Sequence, residues 1–85
     1  MQTFTLDDLR DLLGSIAGVD ESTDLSGDID DVPLTDLGYD SLAMLELAGQ
    51  VQRRYGVPIP DDGPERMTTP RRTVEYINSR FAAVA

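Results

Sequence analysis

Asp40-Ser41-Leu42-Ala43-Met44-Leu45-Glu46-Leu47-Ala48-Gly49-Gln50-Val51-Gln52-Arg53-Arg54-Tyr55-Gly56 reads as one helix with both ends marked. Asp40 is a residue type whose carboxylate takes a free first-turn N–H, and Gly56 can turn left-handed to stop the helix. At about 100° per residue, Met44, Leu47, Ala48, Val51 and Tyr55 fall on one stripe, with Glu46, Gln50, Arg53 and Arg54 opposite. Leu42 stays off that stripe, toward the polar side, directly after Ser41. Gly49 stands in mid-helix, where it costs about 1 kcal/mol against Ala, and the wheel places it beside Leu42 and Leu45.

Two further helices flank this one. Thr5 is placed as an N-cap with Asp8 in the capping-box position, and Phe4 and Leu9 occupy the sites of a hydrophobic staple. Leu6, Leu9, Leu13, Ile16 and Ala17 recur at helical spacing after it, and Gly18 is placed as the stop. The last helix opens at Thr69-Pro70, a cap followed by a first-turn proline, and buries Val74, Ile77, Phe81 and Val84. Between the second and last helices, Gly56-Val57-Pro58-Ile59-Pro60 is extended, because a residue before proline is pushed out of the helical region. Asp61 to Met67 has room for one short helical turn. The expectation is an all-α fold: a small up-down bundle of three principal helices plus one short helix, forming a single domain over residues 1–85.

The connection from Val19 to Tyr39 is unusually long for a compact domain. Leu25, Ile29, Val32, Leu34 and Leu37 are spaced along it to drop apolar anchors onto the bundle. Its acids, from Asp20 to Asp28, have the look of a calcium loop, but an EF-hand needs Gly at its sixth position and Glu at its twelfth. Counting from Asp20, those places hold Leu25 and Asp31, so a solvated loop is the better reading.

Composition narrows the function. The chain has no Cys, no His and no Lys, which removes thiolate nucleophiles, the usual zinc sites and Schiff-base chemistry. A general base would have to be a carboxylate or one of three tyrosines, a poor kit for catalysis, so no catalytic residues and no metal ligands are assigned. Sixteen acids against seven arginines leave a net charge of −9. Duplex nucleic acid and an anionic bilayer would repel such a surface, whereas basic protein partners would be steered onto it. No apolar run approaches membrane-spanning length, and a cytoplasmic monomer is the expectation.

The segment Asp36-Leu37-Gly38-Tyr39-Asp40-Ser41-Leu42 carries the functional signal. Gly38 permits a sharp approach to the helix, and Asp40 can serve as the cap, which leaves the Ser41 hydroxyl free. A helix N-terminus also favours a phosphate, since its free N–H groups and dipole face outward. Here the chain resembles the acyl carrier proteins. The likeness is carried by Leu37 to Leu42, Glu46-Leu47, the run from Gly56 to Asp62, and Thr68-Thr69-Pro70 followed by Val74, Tyr76 and Ile77, so it spans nearly the whole sequence in order. Tyr39, the run from Asp24 to Asp28 and Ile59-Pro60-Asp61-Asp62 are most similar to the discrete carriers of type II aromatic polyketide synthases. A fatty-acid carrier ranks second and a peptidyl carrier third.

The resemblance implies that Ser41 bears 4′-phosphopantetheine through a phosphodiester, installed from coenzyme A and Mg²⁺ by a separate phosphopantetheinyl transferase. It implies partners of the malonyl-CoA:carrier-protein acyltransferase, ketosynthase/chain-length factor and ketoreductase kinds. Asp36, Asp40 and Glu46 would offer charge to them, and Leu42 and Leu45 a small apolar contact. Met44 and Val51 could line a space for an acyl chain, with core packing as their first role, and Phe4, Tyr55, Tyr76 and Phe81 are core residues. The rival from another class is an unmodified acidic helical adaptor. It accounts for charge, caps and helices, and leaves the ordered Gly38-Tyr39-Asp40-Ser41-Leu42 unexplained.

Overall fold

The computed structural model describes residues 3–16 and 27–84, the side chain of Val84 excepted. Helix α1 spans Leu6–Gly14 behind a complete capping box, in which Thr5 Oγ1 accepts from the Asp8 N–H and the Asp8 carboxylate accepts from the Thr5 N–H. Both staple residues, Phe4 and Leu9, are buried. The helix ends earlier than its apolar spacing predicts. The Ser15 N–H and hydroxyl turn back onto the Leu12 carbonyl, and the Ile16 N–H onto that of Leu13, tightening the last turn into i→i+3 bonds. Ala17 and Gly18, placed in this helix and at its stop, lie outside the described residues, as does the anchor Leu25. Leu12, absent from the expected stripe, is buried with Leu9 and Leu13.

Helix α2, Ser41–Tyr55, has the predicted bounds. Asp40 caps it, and Gly56 closes it at φ 68°, the left-handed conformation that only glycine takes without strain. Met44, Leu47, Ala48 and Val51 are buried along its inner face, joined by Ala43. Helix α3, Gly63–Arg66, is the short turn expected between Asp61 and Met67. Helix α4, Pro70–Val84, starts from Thr69, whose hydroxyl accepts from the Arg72 N–H. Ile77 and Phe81 are buried as expected and Val74 is half-buried. Thr73 is fully buried as well, its hydroxyl satisfied by the Thr69 carbonyl.

Helix α1 packs on α2 and α4, and α3 wedges against both α2 and α4. The rings of Phe4, Tyr55 and Phe81 form a cluster with centroids 5.4–6.5 Å apart, joining the entering chain to the C-terminal ends of α2 and α4. Asn78 clips the entering chain in place, accepting from the Phe4 N–H and donating to the Phe4 carbonyl. Gly63 allows a close approach at the α3 corner: a methyl there would sit 2.5 Å from Ile59 Cγ2 and 3.2 Å from the Tyr76 hydroxyl. The described residues are all helix, turn or loop, in the arrangement the sequence implied.

Candidate functional site

The loop leading to α2 is fastened at several points before it delivers Asp40 and Ser41. Ile29 and Leu34 are buried anchors, while Val32 and Leu37 are half-buried. The Leu34 N–H donates to the Thr68 carbonyl and the Arg71 N–H to that of Asp30, which ties the loop to the start of α4. The Arg71 guanidinium also grips the Asp31 carboxylate through two hydrogen bonds, 2.9 and 3.2 Å. These hydrogen bonds hold the Asp31 carboxyl below its usual value against the opposing effect of burial, with the guanidinium charge adding to them. The pair is exposed, so it guides the loop more than it stabilises the fold.

Residues 33–39 then turn tightly, with the N–H groups of Leu37 and Tyr39 both donating to the Leu34 carbonyl. Gly38 carries φ 94°, so the sharp approach read from the sequence requires glycine. Tyr39, which the sequence offered only as a subtype marker, is a core residue with 1% of its surface exposed. Its hydroxyl donates to the Leu13 carbonyl at the end of α1, 3.0 Å away, and burial raises its pKa. No local pattern reveals this bond, because its acceptor lies on a different helix.

Asp40 is extended, and its Oδ1 accepts from the Ala43 N–H at 2.9 Å while its carbonyl accepts from the Met44 N–H. Ser41 is the first helical residue and is exposed, and its hydroxyl makes no hydrogen bond among the described residues. Leu42 and Leu45 are 74% and 58% exposed, the large hydrophobic side chains most open to solvent among the described residues. Asp36 is exposed on the turn. Ser41, Leu42, Leu45 and Glu46 share an outer arc of about 140° on α2, opposite the buried stripe.

Glu46 is not a bare surface charge. Its Oε1 lies 3.8 Å from Arg53 Nη2 and accepts weakly from Gln50 Nε2 at 3.4 Å. Over Gly49, which the wheel places beside Leu42 and Leu45, the nearest side chain is the Arg53 guanidinium. Chemically the arrangement offers an accessible hydroxyl at the positive end of a helix, beside apolar and acidic groups. The sequence has no histidine or lysine to serve as a base, and the neighbouring Asp40 carboxylate is engaged as a cap through Oδ1.

Comparison with known proteins gives a consistent set of relatives. The sequence pattern described as the phosphopantetheine attachment site matches residues 7–77. The oxytetracycline polyketide synthase acyl carrier protein of Streptomyces rimosus is 49% identical over 85 residues, covering 100% of this chain and 90% of that one. The actinorhodin polyketide synthase acyl carrier protein of Streptomyces coelicolor is 49% identical over 81 residues, covering 95% and 94%. The solution structure of the acetyl actinorhodin acyl carrier protein from Streptomyces coelicolor superposes with a TM-score of 0.86 at 48% identity, covering 99% of this chain and 98% of that one.

Proposed function

The chain belongs to the acyl carrier proteins, the family of the phosphopantetheine attachment site, and from that premise we propose that Ser41 is its attachment residue and that residues 1–85 act as one carrier domain. It is a carrier of polyketide intermediates rather than an enzyme, and its cofactor is 4′-phosphopantetheine. The observation that carries the residue assignment is the division of labour at the head of α2. Asp40 caps the helix, so the Ser41 hydroxyl is exposed and unbonded among the described residues.

The residues present fit the group. A phosphodiester on Ser41 Oγ would sit at the positive end of α2, where the Ser41 and Leu42 N–H groups have no acceptor among the described residues. When bound, the arm supplies a terminal thiol that holds acyl groups as thioesters. Ser41 would offer its oxygen to the phosphorus of the coenzyme A diphosphate, the 3′,5′-ADP portion leaving with the broken P–O bond. The base that takes the serine proton comes from the transferase, since the sequence has no histidine or lysine. Tyr39 and the Gly38 turn hold the hydroxyl at the mouth of a rigid helix, clear of the bundle.

Leu42 and Leu45 give transferase and synthase enzymes an apolar contact, and the exposed Asp36, Asp40 and Glu46 offer them carboxylates. Exposed ion pairs worth up to about 1 kcal/mol each suit a shuttle that must exchange partners rapidly. The carrier works with the enzymes of a polyketide synthase. We assign it the phosphopantetheinyl transferase, malonyl-CoA:carrier-protein acyltransferase, ketosynthase/chain-length factor and ketoreductase as partners, in the cytoplasm and as a monomer. Among the described residues no helix is long and apolar enough to cross a membrane.

Intact mass after incubation with coenzyme A, Mg²⁺ and a broad-specificity transferase tests the assignment. The parent chain gains one phosphopantetheine, and Ser41→Ala gains none while keeping its helicity, since Asp40 still caps. One phosphopantetheine on Ser41→Ala overturns it.

A further inference from the structure

Arg53 follows Glu46 by about two turns of α2, and its side chain reaches back along the helix surface. Both ends of the resulting pair are open to solvent, with 69% of the arginine and 53% of the glutamate side chain exposed. Gly49 lies between them. A methyl there would meet Arg53 Nη1 at 3.2 Å and Cζ at 3.9 Å, so the guanidinium rests over the bare backbone where another residue would place its side chain. Gln50 flanks Glu46 on its own helix, its side-chain oxygen 3.0 Å from the hydroxyl of Ser15, the cap of α1, which also bonds the Leu12 carbonyl. The described pairs of Arg66 with Asp62 and Arg71 with Asp30 and Asp31 belong to the α3 turn and the loop clasp. The Arg53 pair falls on the arc that also carries Ser41, Leu42 and Leu45.

We infer that Arg53, admitted by Gly49, is a built-in competitor on this docking face: it neutralises Glu46 in the free protein, and a partner engages Glu46 by exchanging its own cation for Arg53. The inference rests on the reading of α2 as the docking helix. The surface therefore fits an enzyme that offers an arginine or lysine opposite residue 46, beside a shallow apolar depression for Leu42 and Leu45. A partner lacking that cation meets a nearly neutral patch at this position, despite the overall charge of −9. Competition by one exposed ion pair weakens engagement by about two- to fivefold, enough to rank partners without blocking any of them.

The test is transferase kcat/KM at low ionic strength on the full chain carrying Arg53→Gln, Glu46→Gln or both, with Arg72→Gln on α4 as the charge control. Arg53→Gln raises kcat/KM about two- to fivefold beyond the rise produced by Arg72→Gln, and the excess vanishes in the Glu46→Gln background. In the apo protein, the Arg53 Nε–Hε resonance shifts on Glu46→Gln whether or not any modification occurs. An Arg53→Gln effect no larger than that of Arg72→Gln, an excess that survives Glu46→Gln, or an unmoved Arg53 resonance overturns the inference. A null effect of Glu46→Gln in both backgrounds removes Glu46 from docking and the competitor with it. The mass gain at Ser41 in the same reactions reports separately on the attachment reading.

Discussion

Leu47 and Leu42 share one helix and meet opposite surroundings: Leu47 is fully buried under the bundle, and Leu42 is 74% exposed beside Ser41. The inner face of α2 gathers Met44, Leu47, Ala48 and Val51, and its role is exhausted by packing. The outer face spends apolar surface on solvent, at a place where nothing in the chain covers it among the described residues. Burial of a leucine side chain is worth about 1.5–3 kcal/mol, so a fold selected for stability alone has no use for Leu42 where it stands. Identical side chains thus separate the part of the helix that holds the protein together from the part proposed to meet partner enzymes.

Truncation is the most direct way to break that contrast. Leu47→Ala removes a fully buried side chain and costs about 2–5 kcal/mol, read as a lower urea midpoint or melting temperature. Leu42→Ala stays within about 0.5 kcal/mol of the parent, yet slows modification at Ser41. A large stability loss from Leu42→Ala with unchanged kinetics on the folded protein makes both leucines structural.

The glycines sharpen the same division. Gly63 lies under Ile59 and Tyr76, and Ile59 is stiff at its branched Cβ, so Gly63→Ala overpacks the corner and costs about 1–3 kcal/mol. Gly49 faces the mobile end of Arg53, so Gly49→Ala stabilises the helix by up to about 1 kcal/mol while nudging the guanidinium aside. Thermal melts of the two variants should move in opposite directions. Equal losses would place Gly49 in a packed contact.

Tyr39 joins the two regions, being buried itself and one residue from the cap. Tyr39→Phe leaves the Leu13 carbonyl without its phenolic donor and costs about 0.5–1.5 kcal/mol at neutral pH. Burial raises the folded-state pKa of Tyr39 above the ordinary 10.0, so its neutral form is favoured in the native protein. The stability linked to that shift is complete below pH 10 and is lost as pH rises through the folded value. Urea midpoints of the parent therefore fall more steeply above about pH 10 than those of Tyr39→Phe. Tyr55, whose pKa burial also raises, contributes a common background slope in both proteins. Parallel alkaline slopes would show that Tyr39 ionises without penalty.

The caps, the two long apolar stripes and the freedom of Ser41 were determined by the sequence alone. Each depends on groups within about four residues of one another: Asp40 and the Ala43 N–H, Thr5 and Asp8, Gly56 and the turn before it. Leu42 could be placed outside the core by the same short-range geometry. Tertiary structure decided what depends on remote partners. Helix α1 ends at Gly14, short of the predicted stop, and beside its local last-turn bonds the distant Tyr39 hydroxyl takes the Leu13 carbonyl. Leu12 is buried in the shared apolar cluster, and α2 brings Gln50, Arg53 and Arg54 up beside it, which a single-helix stripe cannot anticipate. The crowding at Gly63 comes from Tyr76 on another helix, joined by Ile59 from the preceding loop. A helix period records which way a side chain points, but the element waiting there is set by chain folding over tens of residues, to which local spacing is blind.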